Sequence, residues 1–140
     1  MIEEIIVHTD GGARGNPGPA AAAFIVEQNR KTIHQESKYL GTTTNNIAEY
    51  SAVLLALKWI KNQSLDFYLL PFTFYLDSEL VVKQINGLYK VKNEKLKILF
   101  YKSVDLIKEI KVKIIFKHIP REKNNIADLL VNKELDQYIK

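Results

Sequence analysis

The chain has no cysteine, and no apolar run approaches the ~18 residues that a membrane-spanning helix needs. Without cysteine there is neither a disulfide nor a thiolate metal site. Any metal must be held by oxygen or imidazole, and oxygen donors suit Mg2+ or Mn2+. No signal peptide is expected, because the start Met1-Ile2-Glu3-Glu4 is acidic and runs straight into a strand. No repeat, linker or low-complexity tract divides the sequence. These absences predict one soluble domain spanning residues 1–140, a cytoplasmic monomer with no membrane contact.

Apolar residues make up 46% of the chain and charged residues 26%, ordinary values for a globular domain with a real core. The net charge is only +4, so the balance alone says little about a polyanionic partner. The distribution says more. Lys90, Lys92, Lys95 and Lys97 share one short segment, and Lys111, Lys113 and Lys117 share another. Each group reads either as a solvated face or as an edge that meets phosphates.

Ile5-Ile6-Val7, apolar on both faces, predicts a central strand over Ile2 to Thr9 that delivers Asp10 at its tip. Four glycines and two prolines follow within Gly11 to Pro19, and they let backbone approach whatever Asp10 serves. A second strand is predicted over Ala20 to Glu27, whose small residues suit close packing. Asn29-Arg30 is the expected hairpin turn, and a third strand runs from Lys31 to Tyr39. Leu40 to Asn46 reads as a polar loop. Ile47, Tyr50, Val53, Leu54, Leu57 and Ile60 then recur at helical spacing. They predict a helix from Ile47 to Asn62 capped by Asn46. Phe72 to Leu76 is a fourth strand, and helices follow over Ser78 to Asn86 and Lys95 to Ile110. A fifth strand runs from Val112 to His118, and a last helix, capped by Asn125, from Ile126 to Tyr138. The order β-β-β-α-β-α-α-β-α predicts an α/β fold, a five-stranded mixed sheet with helices on both faces.

Taken singly, each acid at an element end has a structural explanation. Asp10 fits a turn, Glu49 a capping box with Asn46, and Asp77 a helix cap. Taken together, the acids form a pattern. Asp77 ends the first strand after a crossover, beside Asp10 at one sheet edge. Glu49 and Asp128 lie in first helical turns that reach the same edge. Such crowding of like charge is repulsive, and a divalent cation turns that repulsion into ligation. Four carboxylates suit two Mg2+ ions ~4 Å apart, which perform in-line displacement at phosphorus. One ion would activate water and the other would stabilise the leaving oxygen. His118 is either an additional proton carrier or an exposed loop histidine.

Thr9-Asp10-Gly11-Gly12-Ala13-Arg14-Gly15-Asn16-Pro17-Gly18-Pro19 resembles the opening signature of type 1 ribonuclease H. Thr43-Thr44-Asn45-Asn46-Ile47-Ala48-Glu49, Leu76-Asp77-Ser78 and His118-Ile119-Pro120-Arg121-Glu122-Lys123-Asn124-Asn125-Ile126-Ala127-Asp128 resemble its later blocks, in the family's order. The resemblance implies an RNase H-like fold and Mg2+-dependent endonucleolytic cleavage of the RNA strand of RNA/DNA hybrids, with Mn2+ as a second candidate metal. It implies that Asp10, Glu49, Asp77 and Asp128 are metal ligands. His118 corresponds to a mobile histidine that assists proton transfer or product release. Asn16, Asn45 and Asn46 correspond to hybrid contacts. Thr42, Thr44 and Asn93 correspond to a pocket for a DNA-strand phosphate. Backbone amides near Gly11 and Gly12 are expected to face RNA 2′-hydroxyls.

Three departures from the family pattern bear on affinity. Leu88 to Asn93 is too short for the extra helix and basic loop that some members use as a handle, so Lys90, Lys92 and Lys95 would have to compensate. Glu79 replaces an amide that touches RNA in many members. No hybrid-binding domain precedes Met1, so low processivity is expected. Two other readings stand beside ribonuclease H: a nuclease of the same fold with broader duplex specificity, such as RNA/RNA or a DNA junction, and a non-catalytic nucleic-acid-binding module.

Overall fold

Asn29 and Arg30 both adopt left-handed backbone, with φ of 53° and 64°. That conformation matches the twist of a two-residue hairpin. In the computed structural model, which describes residues 4–63 and 70–139, this turn joins β2 (Gly18–Gln28) to β3 (Lys31–Thr43). The glycine–proline turn joins β2 to β1 (Ile5–Ala13), again antiparallel. Helix α1 (Asn45–Lys61) then precedes β4 (Phe72–Leu76), which lies parallel to β1. Helices α2 (Glu79–Ile85) and α3 (Glu94–Glu109) precede β5 (Ile114–His118), parallel to β4. The sheet order is β3-β2-β1-β4-β5, and α4 (Asn125–Tyr138) closes the fold.

Residue alternation along the strands divides the core in two. Ile5, Val7, Phe24 and Val26 join Tyr50, Val53 and Leu57 of α1 in the larger cluster. Ala21 and Ala23 face the other way, onto Val131 and Leu135 of α4. Bulky side chains fill the α1 face, and the alanines leave room for α4 to pack close. Helices therefore cover both faces, as the element order predicts.

The differences from expectation fall at element ends. β1 does not stop at Thr9. Its parallel partner stops there, with Thr9 opposite Leu76, while β1 continues beside β2 to Ala13. Asp10 thus lies inside a strand, at the step where one neighbour ends. The part of the predicted strand before Glu4 lies outside the described residues. Leu40 to Thr43, predicted as loop, extends β3, because Gly41, Thr42 and Thr43 pair with Ala20, Pro19 and Gly18. An edge strand needs only backbone pairing, so a polar sequence suffices. The cap of α1 is Thr44, not Asn46, and its hydroxyl accepts from Ile47 N at 3.2 Å. The cap of α2 is Ser78, not Asp77, and that of α4 is Asn124, not Asn125. β5 begins at Ile114 rather than Val112, and a 3-10 turn, Arg121–Lys123, interrupts the predicted loop.

Candidate active site

Each acid arrives by a different route. Asp10 stands where β1 outruns β4, and Asp77 is the first residue beyond β4. Glu49 projects from the second turn of α1, against β1. Contact there is backbone to backbone. A Cβ on Gly11 would overlap the Ala48 carbonyl and the Glu49 amide nitrogen, so only glycine lets helix and strand approach this closely. The closeness allows Gly11 N to donate to Glu49 Oε1 at 2.8 Å. Glu49 is therefore no capping residue, and the Gly11 amide, expected to face a ribose hydroxyl, is committed to that carboxylate.

Asp10, Glu49 and Asp77 each offer an oxygen within 4.8 Å of the others. Asp10 and Glu49 are both only 6% exposed, so their mutual repulsion is poorly screened. Burial, with Asp77 and Asp128 adding repulsion, raises the Asp10 carboxyl from 3.8 to about 7. Burial and then the Asp10 charge push Glu49 well above the usual carboxylate range. Glu49 Oε2 is buried without a hydrogen-bond partner among the described residues. A buried anionic oxygen with no donor is costly in a dry protein and suits a cation. Oxygen-only donors of this number and charge fit Mg2+ or Mn2+.

Asp128 is brought to the same place less tightly. It is solvent-exposed, in the first turn of α4, and lines a cleft of about 480 Å³ together with the other three acids. It lies outside the compact trio. His118 is at the same sheet edge, in register with Leu76, and is exposed. Glu79 is held by Lys83 at 2.6 Å. That hydrogen bond and charge lower its pKa, and His118 contributes in the same direction. Its negative charge is thus matched locally.

The expected nucleic-acid contacts divide into two groups. Asn45 and Asn46 line the cleft beside Gly11 and Gly12. Asn16 Oδ1 accepts from Asn45 N at 3.0 Å, and Asn45 Oδ1 accepts from Ala13 N at 2.8 Å. Two carboxamide oxygens thereby tie the glycine turn to the start of α1. Thr44 and Asn93 both cap helices, Asn93 accepting from Leu96 N at 3.1 Å, and Thr42 is exposed on β3. The sequence reading gave no role to Arg121, which also lines the cleft, or to Asn124. Asn124 Nδ2 donates to Thr9 O and to Asp77 Oδ2, at 2.8 and 3.2 Å. Asn125, the predicted cap, is exposed, and it is Asn124 that is buried at the start of α4.

The family model for reverse transcriptase-like domains matches residues 8–134. A bifunctional protein of Mycobacterium tuberculosis is 33% identical over 135 residues, which are 95% of this chain and 36% of that protein. The chain thus spans about a third of the length of that relative. A ribonuclease H of Clostridium botulinum is 31% identical, covering 98% of this chain and 99% of its own. Among solved structures, LC11-RNase H1, isolated from compost by a metagenomic approach, superposes with a TM-score of 0.93 at 43% identity, over 98% of this chain and 99% of that one. The same protein in complex with an RNA/DNA hybrid matches at 0.88 and 41% identity, over 98% of this chain and 100% of that one.

Proposed function

The chain belongs to the ribonuclease H family, and from that premise we propose that it is an endonuclease that hydrolyses the RNA strand of RNA/DNA hybrids. The observation that carries this reading is the acid trio, with one buried Glu49 oxygen that has no donor among the described residues. Asp10, Glu49 and Asp77 would hold divalent cations, with Asp128 completing the set from the cleft rim. Bound there, two such ions supply Lewis-acid chemistry for in-line attack at phosphorus, leaving a 5′-phosphate and a 3′-hydroxyl. Gly11 N steadies Glu49 during this chemistry. The Asn16–Asn45–Ala13 bonds keep the glycine turn fixed, and Asn45, Asn46 and the Gly12 backbone line the wall where a minor groove would lie. Thr42, Thr44 and Asn93 would meet a phosphate of the DNA strand. His118, exposed at the sheet edge, would accept or deliver a proton as product leaves.

The resemblance to a protein whose structure holds an RNA/DNA hybrid supports the choice of duplex. Matched RNA/DNA, RNA/RNA and DNA/DNA duplexes, incubated with Mg2+, with Mn2+ and with chelator, test it. Cleavage of the RNA strand of the hybrid alone, and only with metal, is expected. Equal cleavage of RNA/RNA would replace this reading with a broader duplex nuclease. Binding of every duplex without cleavage would make the chain a non-catalytic module.

A further inference from the structure

We propose that Asn124, held in place by His8, is a positioning residue that fixes Asp77 and the start of α4 for cation binding. The inference rests on the metal reading above. Asn124 is 1% exposed, and its carboxamide meets three residues at once, two on β1 and one just beyond β4. Nδ2 donates to Thr9 O on β1 at 2.8 Å and to Asp77 Oδ2 beyond β4 at 3.2 Å. Both partners are acceptors only, so the nitrogen, not the oxygen, must face them. Oδ1 is left facing His8 Nδ1 at 3.1 Å, and an amide oxygen can only accept. His8 therefore carries its hydrogen on Nδ1, and its ring rests against Tyr75 of β4, with centroids 5.4 Å apart.

The main chain of the same residue reaches the fourth acid. Asp128 N donates to Asn124 O at 3.1 Å, at the start of α4. Asn124 is thus bonded to Asp77 through its side chain and to Asp128 through its backbone. It stands at the N-cap of α4, yet its side chain makes no cap bond. Asparagine is among the best capping residues, so this chain diverts a helix-stabilising group towards the acids. A carboxylate held in one rotamer before the cation arrives loses less freedom on ligation. Removal of comparable outer groups weakens metal sites by about ten- to a hundredfold.

Binding of Mn2+ alone to the full chain, followed by the EPR signal of the free ion, tests this, with thermal melts of each variant run alongside. Asn124→Ala is expected to bind Mn2+ about ten- to a hundredfold more weakly than wild type. His8→Ala acts through one intervening amide, and about a three- to tenfold loss is expected. His8→Asn offers an amide hydrogen where Nδ1–H stood, and affinity within about twofold of wild type is expected, whatever the cost to the melt. That rescue distinguishes positioning from simple loss of packing. Should Asn124→Ala not fold, the His8 pair decides the matter alone. Wild-type Mn2+ affinity in folded Asn124→Ala, or equal losses in the two His8 variants, would overturn the inference and leave the metal reading intact. A wild-type chain that bound no Mn2+ would overturn both.

Discussion

Glu49 enters the site with one oxygen bonded to Gly11 N and the other without a partner among the described residues. Gln at this position keeps an oxygen for Gly11 N but places an amide group where the donorless oxygen stood. Glu49→Gln should lower hybrid hydrolysis by more than the ten- to hundredfold typical of outer groups. It should also raise the melting temperature of the cation-free protein, because a buried like charge is gone. Initial rates and melts on the same preparation check both. Asp10 supplies a pH signature. Its carboxyl titrates near 7 in the fold against 3.8 as an ordinary aspartate. At intermediate pH the folded chain therefore keeps a proton that the unfolded chain has released. The stability tied to this proton is full below about pH 4 and is lost as pH rises through 7. In chelator, Asp10→Asn should be more stable than wild type at pH 8 by on the order of a few kcal/mol, with the gap closing towards pH 4. Excess Mg2+ at pH 8 should stabilise wild type and leave the variant almost unmoved. A gap that did not change with pH would contradict the assignment of the raised group.

The close contact between β1 and α1 is a single device, and Gly11 is its centre. Gly11→Ala forces the strand from the helix at the Ala48 carbonyl. A cost of about 3 kcal/mol or more is expected, at the upper end of overpacking. The Gly11–Glu49 hydrogen bond should fail with it, so the variant should lose its Mg2+-induced thermal shift as well as denaturant stability. Retention of that shift would mean that Glu49 does not depend on the contact. The existence and order of the elements were legible, because apolar period separates α1 from β4 without any long-range information. Their ends were not. At Thr44–Asn46, Asp77–Ser78 and Asn124–Asn125, neighbouring side chains are all competent to cap, and local sequence cannot say which is recruited elsewhere. In the fold Asn45 is taken by Ala13 N and Asn124 by Thr9 and Asp77, while Ser78 caps in place of Asp77. The polar tract Gly41 to Thr43 misled for another reason: an edge strand is specified by its partner's backbone.

At the scale of the whole molecule, the convergence of acids from distant parts of the chain could be read in advance, since parallel β1 and β4 must deliver Asp10 and Asp77 to one edge. The looser placement of Asp128 could not, because the 3-10 turn Arg121–Lys123 sets where α4 begins. Charge is segregated on the same scale. The net charge is +4 although the cleft gathers four acids, so cationic excess lies elsewhere. Lys83, Lys97 and Lys61 are paired with Glu79, Glu94 and Glu109. Lys90, Lys92 and Lys95 are exposed around the connector between α2 and α3, and no ion pair among the described residues involves them. Unpaired cations release counterions when they meet phosphates, each contributing about 0.7 to 0.9 to the slope of log affinity against log salt. Hybrid binding measured on Asp10→Asn, which should not cleave, isolates this effect. Replacing all three lysines with alanine should weaken binding at low salt and flatten the slope by about 2 to 3. Lys61→Ala, whose charge is already matched by Glu109, should leave the slope nearly unchanged. Equal slopes in the triple variant and its parent would place the phosphates on another face.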